Sequence, residues 1–328
     1  MNPKVSIIIT IYNREKFIET CACSLFEQTL QAIEYIFVDD ASTDHSLDIL
    51  NTVIDKYHNR KPMTKIIHLQ HNGGVSNARS IAMKHVSGEY VIHTDSDDWV
   101  DNSMYELMYK KAIETGADIV GCNMCHEYSG WKSIFVQNYA ETIHENISRL
   151  ICGDIHPSLC TSLTRTSIIR DNNITFPEGL NMGEDLFYNL QIYLHSRMIT
   201  HLDIAPYHYR HTPDSSSFHH TRETIDSGIM ICRKIEQLMR AEKLYDKFAM
   251  DIAYRKFSMK LSLIRDFNNT DDYKYWLHIF PETHQYIWKY KRLDWKLRLE
   301  LWFAAHHMFC ISKAIKKMLT LHHNIRHS

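Results

Sequence analysis

"VIHTDSDDWVD", residues 91–101, sets three aspartates within four positions directly behind a short apolar run. The run has the length and β-branched character of a buried strand. Carboxylates this close repel one another. Asp95, Asp97 and Asp98 stay together and ionised at neutral pH if a divalent cation neutralises them, and oxygen-only ligands suit Mg2+ or Mn2+. The plainer use of an aspartate here is to cap the next helix, which is predicted to begin near Asp101 or Ser103; capping needs one carboxylate, not three.

The same strand-then-helix unit recurs upstream. "VSIIITIY" (5–12) precedes a helical spacing at Phe17, Cys21, Leu25 and Phe26; "EYIFV" (34–38) precedes "SLDILNTVIDKY"; "KIIHL" (65–69) precedes "VSNARSIAMKHV". "YVIHT" (90–94) precedes "SMYELMYKKAIETG", and "ADIVGCN" follows. Strands alternating with helices imply an α/β fold with a mostly parallel, Rossmann-like sheet covered on both faces. Ligands of such sheets sit at the carboxyl ends of the strands. Thr10, Tyr12 and Asn13, then Asp39 and Asp40, then "HNGG" (71–74), then Asp95 to Asp98 all fall there. After about residue 125 the alternation fades into a mixed region, and from about 222 onward only helical periodicity is left.

Composition bounds the rest. A chain of 328 residues with 44% apolar and 23% charged residues can build a full core and is neither disordered nor fibrous. Its formal charge of −2 conceals a basic tail, because residues 284–328 hold nine Lys/Arg against two Asp/Glu. The overall balance gives no reason to expect nucleic acid as a partner. No signal-like start and no run of about 18 apolar residues occurs, so a cytoplasmic protein is expected. The eight cysteines lack a framework spacing, as expected of reduced thiols; Cys122 and Cys125 have CxxC spacing without a second pair or a redox turn.

"VSIIITIYNREKFIETCACSLFEQTLQAIEYIFVDDASTDHSLDIL" (5–50), "HNGGVSNARSIAMKHVSGEYVIHTDSDDWV" (71–100) and "GEDLFYNLQ" (183–191) closely resemble the family 2 glycosyltransferases of the GT-A fold. The resemblance is strong over residues 4–125 and looser over 150–218. It implies a catalytic domain over 1–220, with a nucleotide-sugar half (1–125) and an acceptor half (126–220), and a helical C-terminal extension over 221–328. It also implies that Thr10, Tyr12 and Asp40 line the base and ribose pocket with Asp39 beside them, and that Arg79 of "SNARS" lies near the nucleotide, although Ser80 stands where the family more often has Asn. Asp95 and Asp97, with Ser96 between them on the nucleotide side, would form the metal-binding D-x-D element for Mn2+ or Mg2+, with Asp97 as the direct ligand. In "GED" the family places its general base, here Asp185, beside Glu184. "YHYRHTPDSSS" resembles the closing segment, so that Arg210 could reach the diphosphate and His211 could complete the metal shell.

The chemistry asks for Asp185 independently. An acceptor hydroxyl attacking an anomeric carbon loses its proton as the bond forms, and a carboxylate within reach can take it. One displacement opposite the leaving group inverts the centre, which calls for a carboxylate away from the metal. The alternative is that Glu184 and Asp185 merely complement a helix dipole.

The activity implied is transfer of one hexosyl-type sugar from a nucleoside diphosphate donor, by resemblance a UDP-sugar, to a glycan or lipid-linked acceptor in bacterial surface polysaccharide synthesis. The Q-x-x-R-W element of processive members is missing. A dinucleotide oxidoreductase would need G-x-G-x-x-G after the first strand, which ends in "TIYN". A catalytically silent binding or scaffold protein of the same fold is the alternative from another class; intact Asp95, Asp97 and Asp185 argue against it. In the tail, Leu297, Leu301, Ala304, Met308, Ile311, Ile315 and Met318 step by four and three along one predicted helix face, with Trp288, Trp295 and Trp302 nearby. That pattern fits peripheral contact with the inner face of the cell membrane, or packing on the catalytic domain or on a twin subunit in a homodimer.

Overall fold

The computed structural model describes residues 3–177, 182–211, 222–265, 270–290 and 293–326. They fall into two compact units, Met1–His219 and His220–Ser328.

In the first unit, β1 (Val5–Ile11), β2 (Ile33–Asp39), β3 (Thr64–His68) and β4 (Tyr90–Asp95) lie parallel in the order β3-β2-β1-β4. The run "VSIIITI" makes β1 because both its faces are covered: Val5, Ile7, Ile9 and Ile11 are fully buried with Tyr35, Phe37 and Ile92 in one core. Register then sets the site, since Thr10 pairs with Asp95 and Ile11 with Asp39, which aligns the three strand ends. Helices α1 (Ile18–Phe26), α2 (Ser46–Lys56), α3 (Val75–Met83) and α4 (Met104–Thr115) alternate with these strands.

Beyond α4 the sheet continues in mixed fashion. β6 (Ile119–Tyr128) hairpins with β7 (Trp131–Phe135), β8 (Ser162–Arg165) runs antiparallel between β4 and β6, and β9 (Ile199–Arg210) runs parallel to β6. The short β5 (Trp99–Val100), directly after the aspartates, pairs antiparallel with β9. Helices α5 (Ile143–Cys152), α6 (Thr166–Asp171) and α7 (Glu184–His195) complete the unit. α7 opens on Gly183 in the left-handed region, φ 84°, a conformation easiest for a residue without Cβ. Its Leu186, Leu190 and Tyr193 are buried, and its acidic first turn is left facing the strand ends.

The aspartates do not cap α4. Ser103 stands at its N-cap with no side-chain bond to the helix, and Asp98 binds Tyr207 and Arg210 of β9 instead.

The second unit is helical throughout its described residues: α8 (Arg222–Ala241), α9 (Tyr245–Arg265), α10 (Thr270–His278), α11 (Trp295–Ala305) and α12 (Phe309–Arg326). Its own core includes Cys232, Phe257, Trp276, Ile287, Tyr290 and Leu301. Within it Lys260 is fully buried, its Nζ 2.7 Å from His284 Nε2, and burial pushes its pKa down to about 7. The tail is not the single helix its spacing suggested. α11, capped by Asp294 Oδ1 accepting from the amides of Lys296 and Leu297, stops at Ala305. His307 turns left-handed at φ 62°, its amide donating to Ala304 O and that of Met308 to Phe303 O, a helix-ending pair of bonds that redirects the chain before α12. The predicted face is split accordingly: Leu301 and Ala304 are buried, Met308 and Ile311 exposed, and the side chain of Met318 lies outside the described ones. No helix among the described residues is long and apolar enough to cross a membrane.

Candidate active site

A cleft of about 880 Å³ opens at the carboxyl ends of β1, β2 and β4, faced by the first turn of α7 and by β6 and β9. Thr10, Tyr12, Asp40, Arg79, Asp95 and Ser96 line it, as do Asp97, Glu184, Asp185 and His211. Asp39 and Arg210 do not line it but support it. Asp39 is fully buried, accepting from Ser42 N and lying 2.6 Å from His68 Nδ1. Asp40 accepts from Gly73 N and Gly74 N, both at 2.8 Å, and so straps the "HNGG" loop to the end of β2. Gly74 sits at φ 82°, the start of α3. Ser96 Oγ donates to Thr10 O at 2.7 Å, joining the first and fourth strand ends, and Tyr12 is largely exposed on the rim.

The three aspartates are held apart by different partners. Asp95 Oδ1 lies 3.2 Å from Arg79 Nη2, and its Oδ2 accepts from the Cys160 thiol at 3.4 Å. Asp97 Oδ2 is 3.4 Å from Arg14 Nε. Asp98, buried, accepts from Tyr207 OH at 2.6 Å and from Arg210 N at 2.8 Å. Arg210 Nε donates to Asp97 O, and its guanidinium lies 4.5 Å from the centre of the Trp99 ring. Burial, and after it the Asp95 charge, pushes the Asp97 carboxyl above the usual range; burial pushes Asp98 well above it.

One buried guanidinium links this rim to the opposite wall. Arg79 Nη1 lies 2.5 Å from Asp185 Oδ1 and 3.4 Å from Glu184 Oε1, while Nη2 faces Asp95. Burial alone would lower the Arg79 pKa, but Asp185, Asp95 and Glu184 together raise it, so its charge is fixed. Asp185 is the opposite case: burial pushes it up to about 7 despite Arg79, with Glu184 and Asp95 adding repulsion.

The far wall is aromatic. His211 Nε2 lies 2.6 Å from His126 Nδ1, and its ring stacks on Tyr128 at 4.0 Å. His211 therefore stands on the β6–β9 wall, with one ring nitrogen engaged by His126. The rest of the loop expected to close the site, residues 212–221, lies outside the described residues, as do 178–181 ahead of "GED".

The residues present fit a divalent cation. Asp95, Asp97, Glu184 and Asp185 line the cleft with more carboxylate charge than the Arg14 and Arg79 guanidiniums paired with them offset. The donors are oxygens, and the Asp95 charge adds to burial in raising the Asp97 carboxyl, a repulsion that a cation would relieve. Asp95 and Asp97, the residues that would hold it, both line the cleft.

Sequence reasoning left out Arg14, Cys160, Tyr207 and His126. Arg14 was within reach of it, standing at the end of β1 among polar residues; the other three come to the site only through the pairing of β6, β8 and β9.

Residues 6–169 match the profile of Glycosyl transferase family 2. The uncharacterized glycosyltransferase EpsJ of Bacillus subtilis (strain 168) is 32% identical over 228 residues, 66% of this chain and 63% of EpsJ, so the chain spans less than two thirds of that relative. The poly(ribitol-phosphate) beta-N-acetylglucosaminyltransferase TarS of Staphylococcus aureus (strain Mu50) is 31% identical over 209 residues, 63% of this chain and 35% of TarS. The crystal structure of S. aureus TarS 1–349 superposes with a TM-score of 0.70 at 25% identity, covering 97% of this chain and 91% of that one; the same fragment in complex with UDP-GlcNAc gives 0.68 at 22%. The match runs from β1 through β8, over the strands whose ends carry the acidic rim. The fold is GT-A-like, and the chain belongs to glycosyltransferase family 2.

Proposed function

We propose that this protein transfers a single sugar from a UDP-sugar to an acceptor hydroxyl with inversion, Asp185 acting as general base. The observation that carries this reading is the Arg79 bridge. It sets the D-x-D carboxylate Asp95 and the separate carboxylate Asp185 in one cleft, joined by a single guanidinium.

The parts have distinct tasks. Thr10, Tyr12 and Asp40, which line the cleft, would receive the base and ribose, with buried Asp39 next to them at the end of β2. Asp95 and Asp97 would hold Mn2+ or Mg2+, which when bound supplies charge stabilisation to the departing diphosphate. Arg14, ion-paired with Asp97 in the cleft, would offer a cationic donor on the same side, while Arg210 holds the Asp97 carbonyl. Asp185, with a pKa near 7, is matched to taking a proton from a hydroxyl at neutral pH, and Arg79 holds one of its oxygens in place. That TarS has been solved with UDP-GlcNAc and with UDP supports the donor class, and its poly(ribitol-phosphate) acceptor supports a cell-surface polymer or its lipid-linked precursor as acceptor.

The test is Asp185→Asn with a panel of UDP-sugars. Transfer should fall by about 10²-fold or more while donor affinity is retained. A variant that turns over like the parent sinks the base assignment. Absence of any metal-dependent donor hydrolysis in the parent would favour the silent binding protein.

The tail reading is tested separately. Trp288, Trp295, Met308 and Ile311 are exposed in a segment rich in lysine and arginine, which supports contact with an anionic lipid surface. Removing residues 284–328 should abolish co-sedimentation with anionic vesicles.

A further inference from the structure

A second group of metal-ligating side chains stands apart from the acidic rim. The Cys125 thiol, the Glu127 carboxylate and the His208 imidazole each offer one donor atom within 4.8 Å of the others. His208 Nδ1 is 2.8 Å from Glu127 Oε1, and Cys125 Sγ is 3.4 Å from the same oxygen. The other ring nitrogen of His208 is 3.1 Å from Asp101 Oδ1, and the ring stacks on Trp99 at 5.1 Å with 6° between the planes.

The backbone fixes these positions. Cys125 pairs directly with His208 across β6 and β9, and Trp99 of β5 pairs with His208 on the other side. Side chains alternate along a strand, so Met124, His126 and Tyr209 face the cleft while Cys125, Glu127 and His208 take the opposite face. None of those three lines the cleft.

We propose that Cys125, Glu127 and His208 form a Zn2+ site, with Asp101 orienting the histidine. Zinc takes sulfur, nitrogen and oxygen donors together at about 2.0–2.3 Å, which sets tetrahedral donors roughly 3.3–3.7 Å apart. Two of the observed separations, 2.8 and 3.4 Å, lie within about 0.5 Å of that range. A zinc-bound histidine characteristically gives its remaining N–H to a carboxylate, which is the place Asp101 occupies. A thiolate and two carboxylates supply the charge a dication needs, against Lys132, exposed and paired with Glu127 across the β6–β7 hairpin, and Arg210, paired with Glu127 across β6 and β9. Three protein donors leave a fourth position for water. The ion would tie β6 to β9 behind the wall that carries His126 and His211 into the cleft. The proposal does not rest on the sugar-transfer reading.

The experiment uses the full chain freed of metal by a chelator and titrated with Co2+, then with Zn2+. One equivalent of Co2+ should give visible bands of a four-coordinate ion and a near-ultraviolet thiolate-to-cobalt band, both erased by one equivalent of Zn2+. Cys125→Ser should remove the thiolate band, Glu127→Gln should weaken binding at least tenfold, and Asp101→Asn, which touches only the far nitrogen, about 10- to 100-fold. Asp97→Asn should leave the band unchanged. No thiolate band, or one that survives Cys125→Ser, overturns the proposal. So does a band lost only in Cys160→Ser, since that thiol lies against Asp95 and would place the ion on the acidic rim.

Discussion

Arg79 and Asp185 set each other's behaviour, and the pair makes two predictions. As the proposed base, Asp185 must be ionised to accept a proton, and burial holds its pKa near 7. The rate constant kcat/KM should therefore rise with pH through about 7 and fall about tenfold per unit below it, measured with a saturating metal ion. Arg79 opposes the upward shift. Replacing it by alanine should move that acid limb to higher pH as well as weaken the fold. Removing one partner of a buried ion pair costs about 3–5 kcal/mol, and the lower end applies because the Asp95 and Asp185 side chains remain about a third exposed, at 37% and 28%. Arg79→Lys keeps the charge but loses the fork that reaches both walls, so it should restore stability more than rate. Equal acid limbs in the parent and Arg79→Ala would show that the guanidinium does not tune the base.

At the level of elements, the position of Asp185, the proposed base, depends on how α7 starts. Gly183 takes φ 84°, and Gly116, at the end of α4, takes φ 71° with open space for 4 Å around the place a Cβ would occupy. Alanine at either costs about 1 kcal/mol from the left-handed backbone alone. Gly183→Ala should additionally lower kcat with little change in donor affinity, because it tilts Asp185, whereas Gly116→Ala should lower only the melting temperature. The contrast between the two variants reads position separately from stability. The elements themselves divide by how local their cause is. β1, β2 and β4 were legible because a strand covered on both faces is a continuous apolar run, and α7 because its apolar spacing follows an acidic turn. The insertion of β8 between β4 and β6 left no periodic mark, since an antiparallel strand of four residues owes its place to partners far along the chain. The site divides in the same way. Asp95 and Asp97 announce themselves by spacing, but the Arg79 contacts cross 16, 105 and 106 positions, and only the folded sheet brings them together. The tail misled because a four-three step is the same whether the helix continues or ends and restarts at His307.

On the scale of the whole molecule, a buried carboxyl in the second unit gives its stability a measurable dependence on pH. Glu300 is buried, with no hydrogen-bond partner for its Oε1, and burial raises its pKa from 4.5 to about 7. A folded-state pKa above the unfolded one means that the contribution is fully present below about 4.5 and lost as pH rises through about 7. At 1.36 kcal/mol per unit the loss is about 3 kcal/mol, and it belongs to the unit that holds α11. Glu300→Gln cannot ionise, so its stability should change less between pH 5 and 8 by about that amount, whatever the substitution does to stability overall. Lys260 runs the other way: its lowered pKa means stability that is full above about 10.5 and lost as pH falls through about 7. The Glu300 penalty is thus complete above about 7 and the Lys260 penalty complete below about 7, and Lys260→Met should stabilise increasingly as pH falls from about 10.5 to about 7 and by a constant amount below that. Trp276, Trp288, Trp295 and Trp302 lie in this unit and only Trp99 and Trp131 in the other, so denaturant unfolding followed by tryptophan fluorescence weights the signal toward it. Identical pH dependence in the parent and Glu300→Gln would mean that this carboxyl is solvated in the folded protein, and the penalty on the alkaline side would need another source.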